Sequence, residues 1–277
     1  MGRKEIQEQM MGAVQTVRET NPVVGSITNT VTINLVANAQ LAVGGSAAMV
    51  YLPDEGEVLA KTAGAMYINV GTLLPVYEQT LPHVAKVLHE IGRPWVLDPV
   101  AVGIGALRSK LLEQLKEYKP SIIRGNASEI IALAGLWGLA GGSSESNVRG
   151  VDSMDSVTSA KDAAVALAGW TGGAVAVSGK ADFVTDGHTA VLSEGGSYFM
   201  KRITGSGCSL GGVNAVYAAA ATPFIAALTA TAVYNLAGSR AESKSDGPGS
   251  FQTAFLDELY KAGGEDIAGN PFKIEEV

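Results

Sequence analysis

This sequence predicts an α/β fold: a mostly parallel sheet with helices on both faces and an antiparallel hairpin along one edge. Three observations carry that prediction. Extended and helical patterns alternate from one end of the chain to the other, as parallel sheets with helical crossovers require. Late in the chain the alternation breaks, and residues 183–185, Asp186-Gly187 and 189–192 read as two strands joined by a tight Asp-Gly turn. Finally, 47% of the residues are hydrophobic and only 17% charged, while glycine is abundant (34) and aromatics make up 6%. That balance suits a large buried core with short turns and argues against disorder.

The elements follow in order. Ile6, Met10, Val14 and Val17 mark one face of an opening helix. Val23–Ile27 reads as a short strand, and Thr28 or Asn29 is expected to cap a helix running to Val43. Residues 47–51 are a strand candidate. Asp54 with Glu57 three residues on resembles a capping box for the next helix. A strand over 66–70 precedes a helix over 77–91, and Trp95–Asp98 is a strand ending in a carboxylate. Residues 111–118 are expected as helix, 122–124 as strand and Ala127–Leu136 as helix. A Gly/Ser-rich loop covers 141–155, too short to mark a domain boundary. A helix over 160–168 and a buried strand over 174–177 lead into the hairpin. Residues 199–203 run into a glycine turn, and three helices close the chain, the last over 252–261. One domain over 1–277 is expected, without internal repeats.

The bulk properties narrow the function. A net charge of −7 and a pI near 5.1 argue against nucleic acid as the main partner. A single cysteine excludes an intrachain disulfide, and with three histidines no His/Cys metal spacing is present. The charged amphipathic start lacks the apolar core of a signal peptide. No residue between Arg202 and Arg240 is charged, but the stretch is Ala-rich and broken at Pro223. It reads as two buried helices rather than a membrane span, so the chain is expected to be cytoplasmic.

Ligands of such sheets gather outside the carboxyl ends of the strands, which directs attention to polar strand ends. Four junctions qualify: Asp98, Arg124 with Gly125-Asn126, Ser178-Gly179-Lys180, and Thr204-Gly205-Ser206-Gly207-Cys208. In the last, two glycines precede the only cysteine where a helix begins. The amides and positive dipole end of that helix favour an anion beside Cys208, which makes phosphate chemistry the first hypothesis. The fork of Arg124 suits two phosphate oxygens. Asp98 and Glu129 suit Mg²⁺, which uses few carboxylates and keeps several waters. Each residue also has a plainer reading. Asp98 before Pro99 makes an ordinary turn, Arg124 ends a strand in solvent, and Glu129 is a first-turn residue stabilised by the helix dipole. Asn29 is a helix cap, Met49 is core, and Lys180 is a solvated loop lysine. Cys208 is an inert buried thiol, a nucleophile activated by the helix start, or part of an anion hole beside a hydroxyl that attacks ATP. His83 and His89 fall on a helix and His188 follows the hairpin turn, so no catalytic histidine is evident and the third reading is favoured. P-loop and dinucleotide fingerprints are missing.

Taken together, six pieces resemble the hydroxyethylthiazole kinase family of the ribokinase-like superfamily. They are Ser26-Ile27-Thr28-Asn29, Asn69-Val70-Gly71-Thr72, Leu97-Asp98-Pro99-Val100, Ile123-Arg124-Gly125-Asn126-Ala127, Thr204-Gly205-Ser206-Gly207-Cys208 and Asp246-Gly247-Pro248-Gly249-Ser250-Phe251, in order over most of the chain. The resemblance implies a three-layer α/β/α kinase that moves the ATP γ-phosphoryl group, with Mg²⁺, to the alcohol of 4-methyl-5-(2-hydroxyethyl)thiazole in thiamin salvage. It implies that Met49, Gly205 and Asn29 contact the thiazole, that Arg124, Ser178 and Asp98 serve ATP, that Asp98 and Glu129 organise the metal, and that Cys208, Gly205 and Gly207 form the catalytic turn. It further implies a homotrimer with interfacial sites. Two departures stand out: Ser206 replaces the family's common Ala, and Ser178 replaces Thr. The wider superfamily usually carries aspartate where this chain has Cys208. The competing readings are a ribokinase-like kinase for another small alcohol of pyrimidine or pyridoxal type, a thiol enzyme using Cys208 without ATP, and a non-catalytic nucleotide sensor.

Overall fold

The computed structural model of the chain describes residues 1–143, 148–149, 152–153 and 157–277. Helix α1 (Arg3–Thr20) buries Ile6, Met10, Val14 and Val17, the stripe that predicted it. Then come β1 (Val23–Ile27), α2 (Ile33–Ala42), β2 (Ser46–Met49), α3 (Pro53–Thr62), β3 (Ala65–Asn69), α4 (Tyr77–Glu90), β4 (Trp95–Asp98), α5 (Ala106–Leu115), β5 (Ile122–Asn126) and α6 (Ala127–Leu136). A two-residue ribbon pairs β6 (Val148–Arg149) with β7 (Asp152–Ser153). The second half holds α7 (Lys161–Thr171), β8 (Ala174–Ser178), β9 (Asp182–Thr185), β10 (Ala190–Ser193), α8 (Ser206–Ala218), α9 (Pro223–Glu242), α10 (Pro248–Lys261), α11 (Gly264–Ala268) and β11 (Phe272–Glu275).

Nine strands form one sheet in the order β11-β10-β9-β8-β5-β4-β3-β1-β2. The six strands from β8 to β2 are parallel, and β9, β10 and β11 each run antiparallel to the strand before them. Helices α1, α2 and α8–α11 pack on one face, while α3–α7 pack on the other. From β1 the chain steps outward to β2 and then returns past β1 to β3. This reversal opens a crevice between β1 and β3 at their carboxyl ends, where open α/β sheets bind ligands.

Several expectations need correction. The helix after β1 begins at Ile33, not at Thr28 or Asn29, and neither residue caps it; Asn29 instead closes a turn by accepting from the Thr32 N–H at 3.2 Å. Asp54 and Glu57 form no capping box. Pro53 opens α3, and Glu57 bonds to Lys61 and His83. The strand expected over 47–51 is Ser46–Met49, because β2 ends level with Ser26 of β1. The helix expected over 111–118 starts earlier, at Ala106, and finishes in a 3₁₀ turn. Most of the loop expected over 141–155 lies outside the described residues. The antiparallel edge is deeper than the hairpin, since β11 pairs with β10 beyond it. The charge-free stretch does form two buried helices, α8 and α9, with Pro223 in the first turn of α9. Among the described residues no helix is long and apolar enough to cross a membrane.

Candidate active site

Helix α8 starts over the carboxyl edge of the sheet. Gly205 is its N-cap in a left-handed conformation (φ 89°), and a Cβ there would come within 2.8 Å of the Thr32 Cβ. The first intrahelical bond is Ser209 N–H to Gly205 C=O at 2.8 Å, which leaves the N–H groups of Ser206, Gly207 and Cys208 without intrahelical acceptors. The Ser206 hydroxyl donates to the Met200 carbonyl at 2.7 Å and so ties the turn to the preceding segment. The serine at this position therefore braces the turn.

Arg124, buried on β5, lies directly against Gly207: a Cβ at Gly207 would stand 2.8 Å from Nη1 and 3.0 Å from Nη2. Its Nη1 is 3.6 Å from Asp98 Oδ2, and its Nη2 donates to Ser178 Oγ at 2.9 Å. Arg124 therefore does not end its strand in solvent. Burial alone would weaken the guanidinium's hold on its proton, but Asp98 and Glu129 beside it keep it above its usual range. Burial pushes the Asp98 carboxyl up, opposed by Arg124, Tyr67 and Asn69. Asp98 Oδ2 accepts from the Tyr67 hydroxyl at 2.9 Å and from Asn69 Nδ2 at 3.0 Å, while Oδ1 is buried without a protein partner.

Glu129 caps α6 in a capping box with Asn126: Oε2 accepts from the Asn126 N–H at 2.9 Å, and the Glu129 N–H donates to Asn126 Oδ1 at 3.0 Å. Its Oε1 accepts from the Ala101 N–H at 3.2 Å, pinning a loop whose Ala101 has φ 58°. Burial, and then the Asp98 charge, push its carboxyl up to about 7. The plainer reading of Glu129 as a first-turn helix residue is thus physically realised, alongside its closeness to Asp98.

The Cys208 thiol faces two amides, Asn69 Nδ2 at 3.4 Å and Asn29 Nδ2 at 3.6 Å, and Asn29 Nδ2 also donates to Asn69 Oδ1 at 3.0 Å. Burial, reinforced by Asp98, pushes the thiol up to about 11. A helix start lowers thiol pKa values in more open settings, but here desolvation wins and the sulfur stays protonated at neutral pH.

The structure thus gathers Asn29, Asp98, Arg124, Glu129, Ser178, Gly205, Gly207 and Cys208 at one end of the sheet. Met49 lies at the same end, half-buried at the carboxyl end of the outermost strand, level with Ser26 of β1 and packed against the core. Asn69 and Tyr67 emerge as further members of the cluster. Asn69 was findable by the strand-end rule that selected Asp98, whereas Tyr67, inside a strand, reads as ordinary core. Arg108 of α5 also braces this edge, donating to the carbonyls of Val70 and Gly71.

Among the described residues, no three His, Cys, Asp or Glu side chains converge as a metal-binding group. The donor set still fits Mg²⁺, which takes one or two carboxylates plus phosphate and water oxygens. Asp98 offers a buried oxygen with no protein partner, and Glu129 carries a carboxyl whose ionisation a cation would restore.

The α/β/α layers, the sheet order and the cluster under α8 define a ribokinase-like protein. A ribokinase-like superfamily protein from Enterococcus faecalis V583 shares the fold, with a TM-score of 0.62 at 12% identity over 95% of this chain and 96% of that one. A structure described as hydroxyethylthiazole kinase protein from Pyrococcus horikoshii OT3 matches with a TM-score of 0.85 and 30% identity, over 98% of this chain and 99% of that one. Hydroxyethylthiazole kinase of Bifidobacterium longum (strain DJO10A) is 51% identical over 288 residues, covering 98% of this chain and 92% of the relative. The model of the Hydroxyethylthiazole kinase family matches residues 14–265. The chain belongs to the hydroxyethylthiazole kinase family.

Proposed function

We propose that this chain phosphorylates the hydroxyl of 4-methyl-5-(2-hydroxyethyl)thiazole with ATP and Mg²⁺, as a step in thiamin salvage. The observation that carries the reading is the seating of Arg124 against Gly207, with Asp98 and Ser178 on its other sides. A fixed cation and three helix-start amides then converge where a transferring phosphoryl group would gather charge.

The residues divide the work. Arg124 and Ser178 hold ATP phosphates, with Asp98 orienting the guanidinium. Asp98 and Glu129 would hold Mg²⁺, which supplies charge neutralisation on the phosphates when bound. The amides of Gly207 and Cys208 stabilise the transferred group, and Gly205 gives the turn its shape. The substrate oxygen forms its bond to the γ-phosphorus as the bond to ADP breaks, and the hydroxyl proton is released as transfer completes. Such transfer depends on positioning and charge more than on a base. A thiol with a pKa of about 11 fits that economy, because it orients the alcohol without needing to ionise. Asn29 acts beside it at the substrate end.

Met49, Gly205 and Asn29 line the thiazole side of the site. A homotrimer belongs to this reading, with a neighbouring copy covering Met49; the half-buried edge strand β2 and exposed Val31, Leu52 and Val58 leave apolar surface for such a contact. The chain acts as a single kinase domain over 1–277, in the cytoplasm where ATP is supplied. The test is ADP release with hydroxyethylthiazole, with and without Mg²⁺, against a panel of pyridoxal-type and pyrimidine alcohols. Thiazole-dependent turnover that fails without the metal is expected. Turnover only with another alcohol, or none with ATP, sinks the proposal.

A further inference from the structure

We infer that Tyr67 is a positioning residue for this reaction: its hydroxyl fixes Asp98, and its ring locks that carboxylate to the helix carrying Gly207 and Cys208. The inference rests on the role proposed for Asp98.

Tyr67 and Asn69 are two apart on β3 and so project to the same face of the sheet, and Asn69 lies in register with Asp98 on β4. The Tyr67 ring is fully buried, where a phenylalanine would fill the space equally well. Its hydroxyl is nevertheless engaged in both senses, donating to Asp98 Oδ2 at 2.9 Å and accepting from Asn69 Nδ2 at 2.9 Å. A hydroxyl beside a carboxylate oxygen, which can only accept, directs its proton to that oxygen. Asp98 Oδ2 therefore carries both protein hydrogen bonds, and Oδ1 carries none. A carboxylate rotates readily about its last torsion, a broad and two-fold well. Two donors converging on one oxygen hold the carboxylate plane, so that the other oxygen keeps one direction toward the site.

The ring has a seat made for it. A Cβ at Gly211 of α8 would stand 2.4 Å from the Tyr67 Cε2 and 2.7 Å from its hydroxyl oxygen. Only glycine lets α8 lie this close. The ring is thus one direct link between α8 and the Asp98 carboxylate.

Four variants test this, read by kcat, KM for both substrates and thermal midpoint: Tyr67→Phe, Gly211→Ala, their combination, and Asp98→Asn. Tyr67→Phe keeps the ring and removes the donation to the Asp98 carboxylate together with the acceptance from Asn69, so kcat is expected to fall roughly ten-fold. KM for the thiazole should stay within about two-fold, the split that marks loss of positioning rather than of binding. Gly211→Ala keeps every hydrogen-bonding group but shifts the ring, and should lower kcat similarly. In the Tyr67→Phe background the ring clash remains but the hydroxyl it would displace is already gone, so the further loss in kcat should be smaller than in the wild-type background. Wild-type kcat in Tyr67→Phe, a lowered thermal midpoint without a change in kcat, or additive losses in the double variant would each overturn the inference. Abolished turnover in Asp98→Asn alongside wild-type kcat in Tyr67→Phe overturns it alone. Wild-type turnover in Asp98→Asn overturns the role of Asp98 as well.

Discussion

Gly207→Ala is the sharpest perturbation of the phosphate cradle, because it adds one carbon at the point where helix and arginine meet. The new Cβ would lie 2.8 Å from Arg124 Nη1, 3.0 Å from Nη2 and 3.2 Å from Cζ. Ordinary contact needs about 3.5–4 Å, so the guanidinium must retreat by roughly half an ångström or more. Its bond to Ser178 Oγ is 2.9 Å and its approach to Asp98 is 3.6 Å, and neither can follow that shift intact. A hydrogen bond involving a charged group is worth about 1.5–3 kcal/mol, which corresponds to roughly ten- to a hundred-fold in rate or affinity. Folding should suffer less, because the displaced atoms are the end of a long side chain. The assay is kcat/KM for ATP beside the thermal midpoint. A loss of at least about ten-fold with a near-unchanged midpoint is expected. The same substitution in an Arg124→Ala background should cost little more, since the clash partner has gone. A Gly207→Ala enzyme with wild-type kcat/KM for ATP would refute the reasoning, as would equal losses in both backgrounds.

Three further outcomes follow from the same geometry. Arg124→Ala should raise KM for ATP well above any change in KM for the thiazole, measured by initial rates; equal effects on both would remove Arg124 from the ATP site. Cys208→Asp should keep or raise turnover, because a carboxylate ionises far more readily than a thiol and can take the hydroxyl proton, whereas the thiol it replaces, with a pKa of about 11, does not ionise near neutral pH. Loss of turnover in a folded variant that still binds substrate would sink that idea. Asp182 is pushed up to about 6, chiefly by burial, against Gly179 and Asn235, which bond to it. An acid with a raised folded pKa binds more protons folded than unfolded, so its contribution to stability is lost as pH climbs from about 4 to about 6, by about 2–3 kcal/mol. Asp182→Asn, whose amide oxygen can still accept from Gly179, should flatten that part of the stability curve. An unchanged slope between the two proteins would remove Asp182 as its source.

Where one physical signal dominates a segment, the sequence read true. The apolar face of α1, the strand Val23–Ile27, the strand Trp95–Asp98, the helix Ala127–Leu136 and the Asp-Gly hairpin all stand where period, turn chemistry or a polar strand end placed them. Misreadings arose where a local motif had a competitor. Asn29 looks like a cap because Asn often caps, yet tertiary structure sends its amide to Asn69 and Cys208. Asp54 and Glu57 have capping-box spacing, but Pro53 already opens the helix and Glu57 finds Lys61 and His83. Strand β11, Phe272-Lys273-Ile274-Glu275, alternates apolar and charged residues as a strand does, but at four residues the pattern is too short to stand out without its partner β10.

The site shows the same division more sharply. Asp98 and Ser178 were legible because each ends a strand, where an α/β sheet leaves polar groups for ligands, and Arg124 because it lies two residues short of one. The glycine turn, expected at a strand end, instead follows a 3₁₀ turn over Tyr198–Arg202 and was legible as a helix start. What could not be read was how they touch. Gly207 reads as a flexible turn residue, but its lack of a side chain makes room for Arg124. Gly211 reads as a weak helix residue, and it makes room for Tyr67. Activation by the helix start was one of three readings open to the thiol, and burial beside Asp98 reverses its sign. In all three cases the decisive quantity is a through-space distance or a desolvation set by another element, and a linear pattern carries neither. The chemistry therefore belongs less to Cys208 than to the contact between α8 and β5, where a missing side chain brings a cation against helix amides. That contact is why Gly207→Ala should cost more activity than stability.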